Sequence, residues 1–352
     1  MNSEVKNILL FGAYYENKGA SLLIETVKYF HSGDRLAIPV GLSWNVYKEN
    51  RKRNIYSIIF LRYGSFNLFD LFHFLPRRFL LRFGIMRLRD VSFMYDISGF
   101  AYGGHWSQNI VKFAQALFSY GPKELKILPQ AFGKFDEQNK ANAAKYFNSA
   151  TDIYVRDKVS YNNLKSLELK VSPKLFSDIT FVLQVGREEK EYDLLIIPNY
   201  KLIDRGIYNI EEWCQQLEQL IVTNEDFSRI SFLIHEGKKD VWMAKEFNRS
   251  CSRDIPIIEC ATGLDCKVFI SRSRVVLSAR YHGVISALSC GVSTYSYSWS
   301  HKYEEVMDEF GLLNNLLHPK RKDLKLDANK LPSSTRRREI KYRINNEIKW
   351  FQ

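Results

Sequence analysis

The stretch VVLSARYHGVISALSCGVSTYSY, residues 275–297, decides the fold. It predicts a short apolar strand over 275–279, a helix of small residues over 283–289 and a second strand over 293–297. A strand, a helix and a strand in this order require a right-handed crossover between two parallel strands of one sheet. The turn that holds Arg280 and His282 then lies at the carboxyl end of a strand, where such sheets bind ligands.

The same alternation of apolar strands and periodic helices continues on both sides of this unit. In the second half, strands are predicted at 192–197, 230–234 and 255–259, with helices at 210–222, 240–247, 264–272 and 302–310. In the first half, strands are predicted at 5–12, 96–98, 125–128 and 152–155, with helices at 19–30, 140–147 and 158–167. The sequence therefore predicts an α/β protein with two Rossmann-like, doubly wound domains that face a central cleft, as in GT-B glycosyltransferases.

The length of 352 residues suits two domains of ordinary size. We place the boundary in the charged stretch 185–191. Residues 1–187 then form an N-terminal domain, 188–318 a C-terminal domain, and 319–352 a basic helical tail.

An insertion at residues 51–90 carries nine Lys or Arg against two Asp and is dense in Phe and Leu, which fits no strand of a regular sheet. Two hypotheses remain for it. It forms short amphipathic helices on the cytoplasmic face of a membrane, or it is a helical insertion packed on the first domain.

The net charge of +12 predicts an anionic partner, which is nucleic acid, an anionic membrane surface, or a phosphorylated and carboxylated substrate. The chain lacks a compact basic and aromatic module and any zinc or RNA-binding signature, so we expect no nucleic acid as a partner.

Five scattered cysteines without a CxxC pair indicate reduced thiols. The N-terminus lacks the features of a signal peptide, and no apolar run is long enough to span a membrane, so we expect a cytoplasmic protein. No His, Asp or Glu cluster has ligand spacing, so we expect neither a metal nor a cofactor.

Arg280, His282 and Gly283 are the strongest candidates for chemistry. Arginine offers a planar fork that matches a carboxylate or a phosphate. Histidine is the usual general acid near neutral pH. Gly283 opens a helix that can pack close to a ligand. A single Arg or His is most often structural, but two of them at one strand end favour a functional site.

Two turns are further candidates. Asn17, Lys18 and Gly19 stand between a strand and a helix, where a helix N-terminus attracts an anion, although a tight turn with an Asn cap explains them equally well. Ser98-Gly99-Phe-Ala-Tyr102 continues into Gly103-Gly104-His105-Trp106 and offers small residues and aromatic faces to a sugar, although an ordinary turn packed by aromatic rings has the same composition.

Weaker candidates follow other predicted strands. They are Gln130, Arg156, His235 and Lys238, for each of which a structural role is favoured when it is taken alone. Asp157, next to Arg156, has the position of a helix cap.

Together these motifs resemble those of the polysaccharide pyruvyl transferase family along nearly the whole chain. They are the Asn17–Gly19 turn, Ser98-Gly99-Phe-Ala-Tyr102, Leu128-Pro-Gln130, Arg156-Asp157 with Ser160, Ser177-Asp178, and Arg280-Tyr-His282-Gly283 with Gly291. Two places depart from the family pattern, where Lys18-Gly19-Ala20 follows Asn17 and Asp178-Ile179 replaces an Asp-Pro pair.

The resemblance implies a GT-B-like fold with the N-terminal domain on the acceptor side, phosphoenolpyruvate as donor and a ketal that bridges two hydroxyls of a hexose. It also implies that His282 is the general acid, that Arg280 holds the carboxylate or phosphate of the donor, and that the remaining motif residues contact the substrates. Two alternatives are a nucleotide-sugar glycosyltransferase and a catalytically inactive, membrane-associated protein of capsule assembly.

Overall fold

The computed structural model describes residues 5–41, 43–63, 66–67, 75–102, 107–186, 189–319 and 324–347. The chain divides into two compact units. Of the described residues, the first unit contains those up to Tyr15 and those of Leu23–Asp178, and the second contains Glu16–Leu22 together with those from Ile179 to Glu347. The first turn of the first helix therefore groups with the second unit.

The first unit is built on a parallel sheet in the order β3-β2-β1-β6-β7-β8-β9. Its strands are β1 Asn7–Phe11, β2 Arg35–Pro39, β3 Tyr56–Ile58, β6 Phe93–Asp96, β7 Glu124–Gln130, β8 Asp152–Val155 and β9 Lys174–Leu175, and a separate antiparallel pair is β4 Arg62–Tyr63 with β5 Phe66–Asn67. The helices are α1 Lys18–Phe30, α2 Trp44–Lys52, α3 Arg77–Arg82, α4 Ser107–Tyr120, α5 Glu137–Phe147 and α6 Lys158–Lys165.

The second unit has a parallel sheet in the order β12-β11-β10-β13-β14-β15. Its strands are β10 Tyr192–Ile197, β11 Ile230–Ile234, β12 Ile257–Glu259, β13 Ser273–Ser278, β14 Ser293–Tyr297 and β15 Leu316–Leu317. Its helices are α7 Lys201–Asp204, α8 Ile210–Thr223, α9 Gly237–Ser250, α10 Gly263–Ser271, α11 Tyr281–Cys290, α12 His301–Glu309 and α13 Ser334–Glu347. The α/β prediction with two doubly wound units is confirmed.

Both sheets reverse their strand order beside their first strand. The reversal lies between β1 and β6 in the first unit and between β10 and β13 in the second. In open α/β sheets, the loops at such a reversal diverge and leave a crevice at the carboxyl ends of the strands. Gly12 and Ser98 follow the strands at the first reversal, and Asn199 and Arg280 follow those at the second.

Each unit buries its own apolar core. Central strands such as β10, which reads YDLLII, are apolar on both faces because helices cover both sides of a parallel sheet. Trp213 of α8 and Phe232 of β11 are fully buried in the second core, and Leu125 and Ile153 are fully buried in the first. The apolar runs of the second half that were predicted as strands are therefore buried in the structure.

Two predictions from the sequence are corrected by the structure, and strands that were not predicted are also present. The strand β2 was missed, and the strand predicted at 96–98 is β6, which ends at Asp96. Residues 51–90 do contain a sheet strand, β3, which pairs in parallel with β2. Composition misled there, because the charged residues lie outside this three-residue strand. The predicted domain boundary stays a prediction; residues 187–188 within it lie outside the described part of the chain.

Candidate functional site

The turn between β13 and α11 carries Arg280 and His282, and small residues allow it to form. A Cβ atom on Gly283 would lie 2.5 Å from Ser278 Oγ and 3.0 Å from Ile197 Cδ1. Because no side chain fits there, glycine lets the first turn of α11 pack directly on β10 and β13. The sequence therefore fixes how close the N-terminus of α11 comes to the carboxyl edge of the sheet.

The peptide before Arg280 is held by three side chains. The carbonyl oxygen of Ala279 accepts hydrogen bonds from Asn199 Nδ2 at 3.0 Å, Trp299 Nε1 at 3.1 Å and Tyr303 Oη at 2.8 Å. These donors come from the loops after β10 and β14 and from α12. The turn is thus fixed from three elements of the second unit, and Arg280 leaves it in one defined direction.

The guanidinium of Arg280 is occupied by two carboxylates. Its Nε and Nη2 donate to one oxygen of Asp240 at 3.0 and 2.5 Å, and its Nη1 donates to Glu236. The Asp240 side chain is 1% exposed and that of Glu236 is 37% exposed. Asp240 therefore anchors the guanidinium from inside, while Glu236 holds it from the accessible side.

The first turn of α1 lies against His282. A Cβ atom on Gly19 would lie 2.3 Å from Nδ1 of the imidazole, so only glycine allows this approach. Asn17 caps α1, since its Oδ1 accepts from the Ala20 amide at 3.0 Å, and its Nδ2 donates to Glu236 at 2.9 Å. The predicted Asn cap is confirmed, and the same side chain reaches the partner of Arg280.

Lys18 and the start of α10 complete this part of the second unit. Lys18 Nζ donates to the Ala261 carbonyl oxygen at 2.9 Å, and Ser21 Oγ accepts from the Gly263 amide at 3.1 Å. Within the described residues, Arg280 and Glu236 make no side-chain cap on α11 and α9. The N-terminal amides of these two helices contribute partial positive charge next to Arg280 and His282.

His235, at the carboxyl end of β11, is a neutral histidine inside this cluster. It is 3% exposed, and among the described residues its Nε2 has no hydrogen-bond partner. Burial lowers its pKa well below the ordinary value, and the positive charges of Arg280, His282 and Lys18 lower it further. His235 therefore stays uncharged at neutral pH, which limits the positive charge that must be packed around His282.

The ionisation of Asp240 predicts a pH dependence. Burial raises its pKa from 3.8 to about 6, against the opposing effect of the Arg280 guanidinium. We expect activity to fall as pH drops through about 6, because a protonated Asp240 releases Arg280. The folded-state pKa exceeds the ordinary value, so the folded form binds this proton more tightly and the group adds stability as pH falls from about 6 to 3.8.

As the pH is lowered from 8 to 5, protonation of Asp240 should therefore lower the activity and raise the thermal stability. In Asp240→Asn, both dependences should flatten. If the activity of Asp240→Asn falls at low pH just as that of the parent does, Asp240 is not the group responsible.

In the first unit, the predicted sugar-binding motif surrounds a buried carboxylate, Asp96. One of its oxygens accepts hydrogen bonds from the Ser98 amide at 3.1 Å, the Ser98 hydroxyl at 2.5 Å and Gln130 Nε2 at 3.4 Å. The other oxygen accepts from the hydroxyls of Tyr102 and Tyr146. Asp96 is fully buried, which raises its pKa, although the hydrogen bonds from Ser98 and both tyrosines oppose this. The motif therefore organises the interior of the first unit.

This arrangement bears on the substrate contacts predicted for Ser98, Gly99, Tyr102 and Gln130. Tyr102 is fully buried and Gln130 is 1% exposed, so neither presents a face to a ligand in this structure. Ser98 and Gly99 are half-exposed, and a Cβ on Gly12, whose φ is +88°, would lie 2.0 Å from Ser98 Oγ. Contact with substrate stays a prediction for all four. Gly103, Gly104, His105 and Trp106 lie outside the described residues.

For the remaining candidates, Arg156 and Lys238, substrate contact stays a prediction. Arg156 Nη1 pairs with Asp178 at 3.2 Å, and both side chains are at most 2% exposed. Asp157 caps α6 by accepting from the Ser160 amide at 2.6 Å, as predicted. Lys238 is exposed on the first turn of α9. The structure therefore brings Asn17, Lys18, Gly19, His235, Arg280, His282 and Gly283 together in the second unit, while Ser98, Gly99, Tyr102, Gln130 and Arg156 belong to the first.

Asp240 and Asn199 were not predicted from the sequence to belong to the site. Asp240 was assigned to a predicted helix, and nothing local marks it as the partner of an arginine 40 residues further along the chain. For Asn199, a signal existed in the sequence, because this polar residue comes two positions after the apolar run 192–197 that was predicted as a strand.

The described part of the chain holds no group of three or more His, Cys, Asp or Glu arranged to bind a metal ion. Across the same residues, no helix combines the length and apolar character of a membrane span.

Comparison with known proteins adds a family and a fold. A family model for polysaccharide pyruvyl transferase matches residues 17–301. Among solved structures, HepE of Anabaena in complex with UDP is 11% identical, with a TM-score of 0.54 over 99% of this chain and 92% of that one. UDP-GlcNAc 2-epimerase of Methanocaldococcus jannaschii is 11% identical, with a TM-score of 0.52 over 98% of this chain and 100% of that one. No curated protein sequence gave a significant match. The GT-B-like fold prediction is confirmed.

Proposed function

Because the chain belongs to the polysaccharide pyruvyl transferase family, we propose that it transfers pyruvate from phosphoenolpyruvate to a hexose. The acceptor is a bacterial surface polysaccharide, such as a capsule or exopolysaccharide, or its lipid-linked precursor. The product is a ketal that bridges two hydroxyls, and phosphate is released. In this proposal the enzyme works in the cytoplasm and needs no cofactor.

One observation supports this reaction most strongly, namely the placement of His282 on the first turn of α11, directly against the first turn of α1. Gly19 brings the α1 backbone against the imidazole, and Arg280 stands two residues before it at the carboxyl edge of the sheet. A multiply charged anion suits this place, because helix N-termini and a cation stabilise negative charge. A proton donor in the same place suits a reaction that begins with protonation.

The chemistry assigns a task to each group. His282 protonates the methylene carbon of the enol, which leaves oxocarbenium character at C2. One sugar hydroxyl attacks C2 and the bond from C2 to the phosphate oxygen breaks. A second hydroxyl then closes the ketal. Of the two protons that the hydroxyls lose, one restores the histidine and the other leaves with phosphate, so that the reaction balances.

Glu236 has a specific part in this proposal. Its carboxylate accepts from Asn17 and Arg280, which are donors that an anionic substrate can also use. Donor binding then displaces the half-exposed Glu236 carboxylate, while the buried Asp240 keeps Arg280 in place. In the resting enzyme, Glu236 thereby pairs with Nη1 of Arg280, a donor that is not bonded to Asp240.

Direct product analysis tests the reaction. The protein is incubated with phosphoenolpyruvate and a candidate glycan, and mass spectrometry of the glycan is combined with a phosphate assay. Pyruvate on the glycan together with equimolar phosphate supports the proposal. Release of a nucleotide from a nucleotide sugar instead supports the glycosyltransferase alternative, and no turnover of either donor with any glycan supports an inactive assembly protein.

Phosphoenolpyruvate is expected to raise the melting temperature. A ligand that binds only the folded state stabilises it by roughly 2.7 kcal/mol at a hundredfold excess over its dissociation constant. Thermal unfolding with phosphoenolpyruvate, with UDP-glucose and with inorganic phosphate measures this. Stabilisation by UDP-glucose alone would contradict the donor assignment, and equal shifts by phosphate and phosphoenolpyruvate would show that the carboxylate is not recognised.

A further inference from the structure

Two short helices of the first unit expose large aromatic side chains. Trp44 of α2 is 62% exposed, Phe79 of α3 is 49% exposed, and Phe83, which follows α3, is 47% exposed. The opposite side of α3 is buried through Leu80, which is 4% exposed. The inner face of α3 therefore supplies its packing, and the outer aromatic rings are not needed for it.

Direct contacts join these residues into one surface. The rings of Phe79 and Phe83 lie 4.9 Å apart, and Trp44 stacks on Tyr47 at 4.8 Å. The Tyr47 hydroxyl donates to the Phe83 carbonyl oxygen at 2.6 Å, and Arg51 Nη1 donates to that of Arg82 at 2.9 Å. Since these bonds link α2 to the end of α3, the exposed rings keep a fixed arrangement.

Basic side chains surround the rings. Six exposed lysines and arginines lie on the two helices, namely Lys48, Arg51, Lys52, Arg77, Arg78 and Arg82. The nearby acids pair most closely with other cations, because Glu49 binds Arg53 at 2.6 Å and Asp90 binds Arg87 at 2.8 Å. The same two carboxylates lie further from Lys52 and Arg77, at 3.9 and 3.7 Å. The aromatic–basic surface, meaning Trp44, Tyr47, Phe79, Phe83 and these six cations, therefore carries a strong positive charge.

We propose that the aromatic–basic surface binds an anionic lipid membrane. Aromatic rings favour the boundary between head groups and acyl chains, while Lys and Arg reach lipid phosphates. Exposed phenylalanines beside the cations favour a lipid surface over nucleic acid, which would be bound through phosphate contacts and base stacking in a groove. The hypothesis of a packed insertion holds for the inner face of α3, and the outer face carries the membrane contact.

The strength of this attachment follows from the charges. Each basic residue near an anionic leaflet strengthens binding roughly fivefold. Six such residues and three exposed rings give reversible attachment. Membrane binding does not depend on pyruvyl transfer, so the two proposals fail separately. If the acceptor is lipid-linked, this attachment places the enzyme where its acceptor is.

Liposome sedimentation of the full-length protein tests the proposal. Vesicles of phosphatidylcholine alone are compared with vesicles that also contain phosphatidylglycerol, over a range of salt concentrations. We expect binding to the anionic vesicles that weakens as salt rises. In Arg77→Glu/Arg78→Glu/Arg82→Glu, the partition coefficient should fall about a hundredfold or more, from roughly fivefold for each cation removed.

Two further variants separate the explanations, and circular dichroism confirms that each is folded. A matched control, Lys245→Glu/Lys325→Glu/Arg338→Glu, makes the same change in net charge on exposed residues of the second unit and should bind as the parent does. Phe79→Ser/Phe83→Ser should bind at least tenfold more weakly while keeping its salt dependence. Equal loss in the control, unchanged binding of the Phe79→Ser/Phe83→Ser variant, or equal binding to neutral and anionic vesicles would overturn the proposal.

Discussion

Replacement of His282 by Gln is expected to lower pyruvyl transfer by about a hundredfold or more, which is the typical contribution of general acid catalysis. Glutamine keeps a polar side chain of similar reach but cannot deliver a proton at neutral pH. The loss should appear in kcat, with little change in the concentration of phosphoenolpyruvate that raises the melting temperature. Steady-state kinetics and thermal unfolding of the same preparation measure the two effects.

His318→Gln is a suitable control, because His318 is exposed and does not belong to the cluster around Arg280. It should retain parental activity. Near-normal turnover of His282→Gln with an unchanged melting curve would remove His282 from the mechanism. A collapse of the melting curve would instead indicate that the imidazole is needed for packing against Gly19.

Replacement of Arg280 by Ala is expected to cost both activity and stability. Asp240 is buried and would lose its cation, and breaking a buried ion pair by removing one partner typically costs about 3–5 kcal/mol of the free energy of unfolding. The loss should be greatest at pH 8, where Asp240 is ionised, and smaller at pH 5, where the carboxyl is neutral. Urea unfolding at both pH values measures it.

Two companion variants test the cause. Adding Asp240→Asn to Arg280→Ala should restore a substantial part of the stability without restoring activity. Arg249→Ala removes an arginine that pairs with Glu246 on the surface of α9, with 74% of its side chain exposed, and should have little or no effect on the free energy of unfolding, because exposed ion pairs contribute little. A cost for Arg280→Ala as small as that for Arg249→Ala would contradict the buried ion pair.

The elements of the second unit could be predicted from the sequence because burial there follows a simple pattern. β13 and α11 lie within two residues of their predicted bounds, since an apolar run, a turn and a small-residue helix leave few alternatives. β2 and β3 were missed for a physical reason. Both strands are short, β2 ends in a proline and β3 has Ser57 at its centre, and these features weaken the pattern of a strand.

The candidate site was predicted in part. The turn with Arg280 and His282 stands out locally, but its environment comes from distant segments that only folding brings together. Tyr146 reaches Asp96 across 50 residues, and Glu236 reaches Asn17 across 219. For this reason, the Tyr102 ring was predicted from the sequence to contact a sugar, whereas in the structure the Tyr102 hydroxyl donates a hydrogen bond to the buried Asp96.

The three hydrogen bonds on the Ala279 carbonyl oxygen have a thermodynamic consequence. Asn199, Trp299 and Tyr303 restrict the peptide that leads into Arg280 before any ligand arrives. The entropy of ordering this turn is lost when the protein folds, and association with the donor need not supply it again. Calorimetric titration should therefore show a small entropic penalty for donor binding, and Tyr303→Phe should enlarge that penalty.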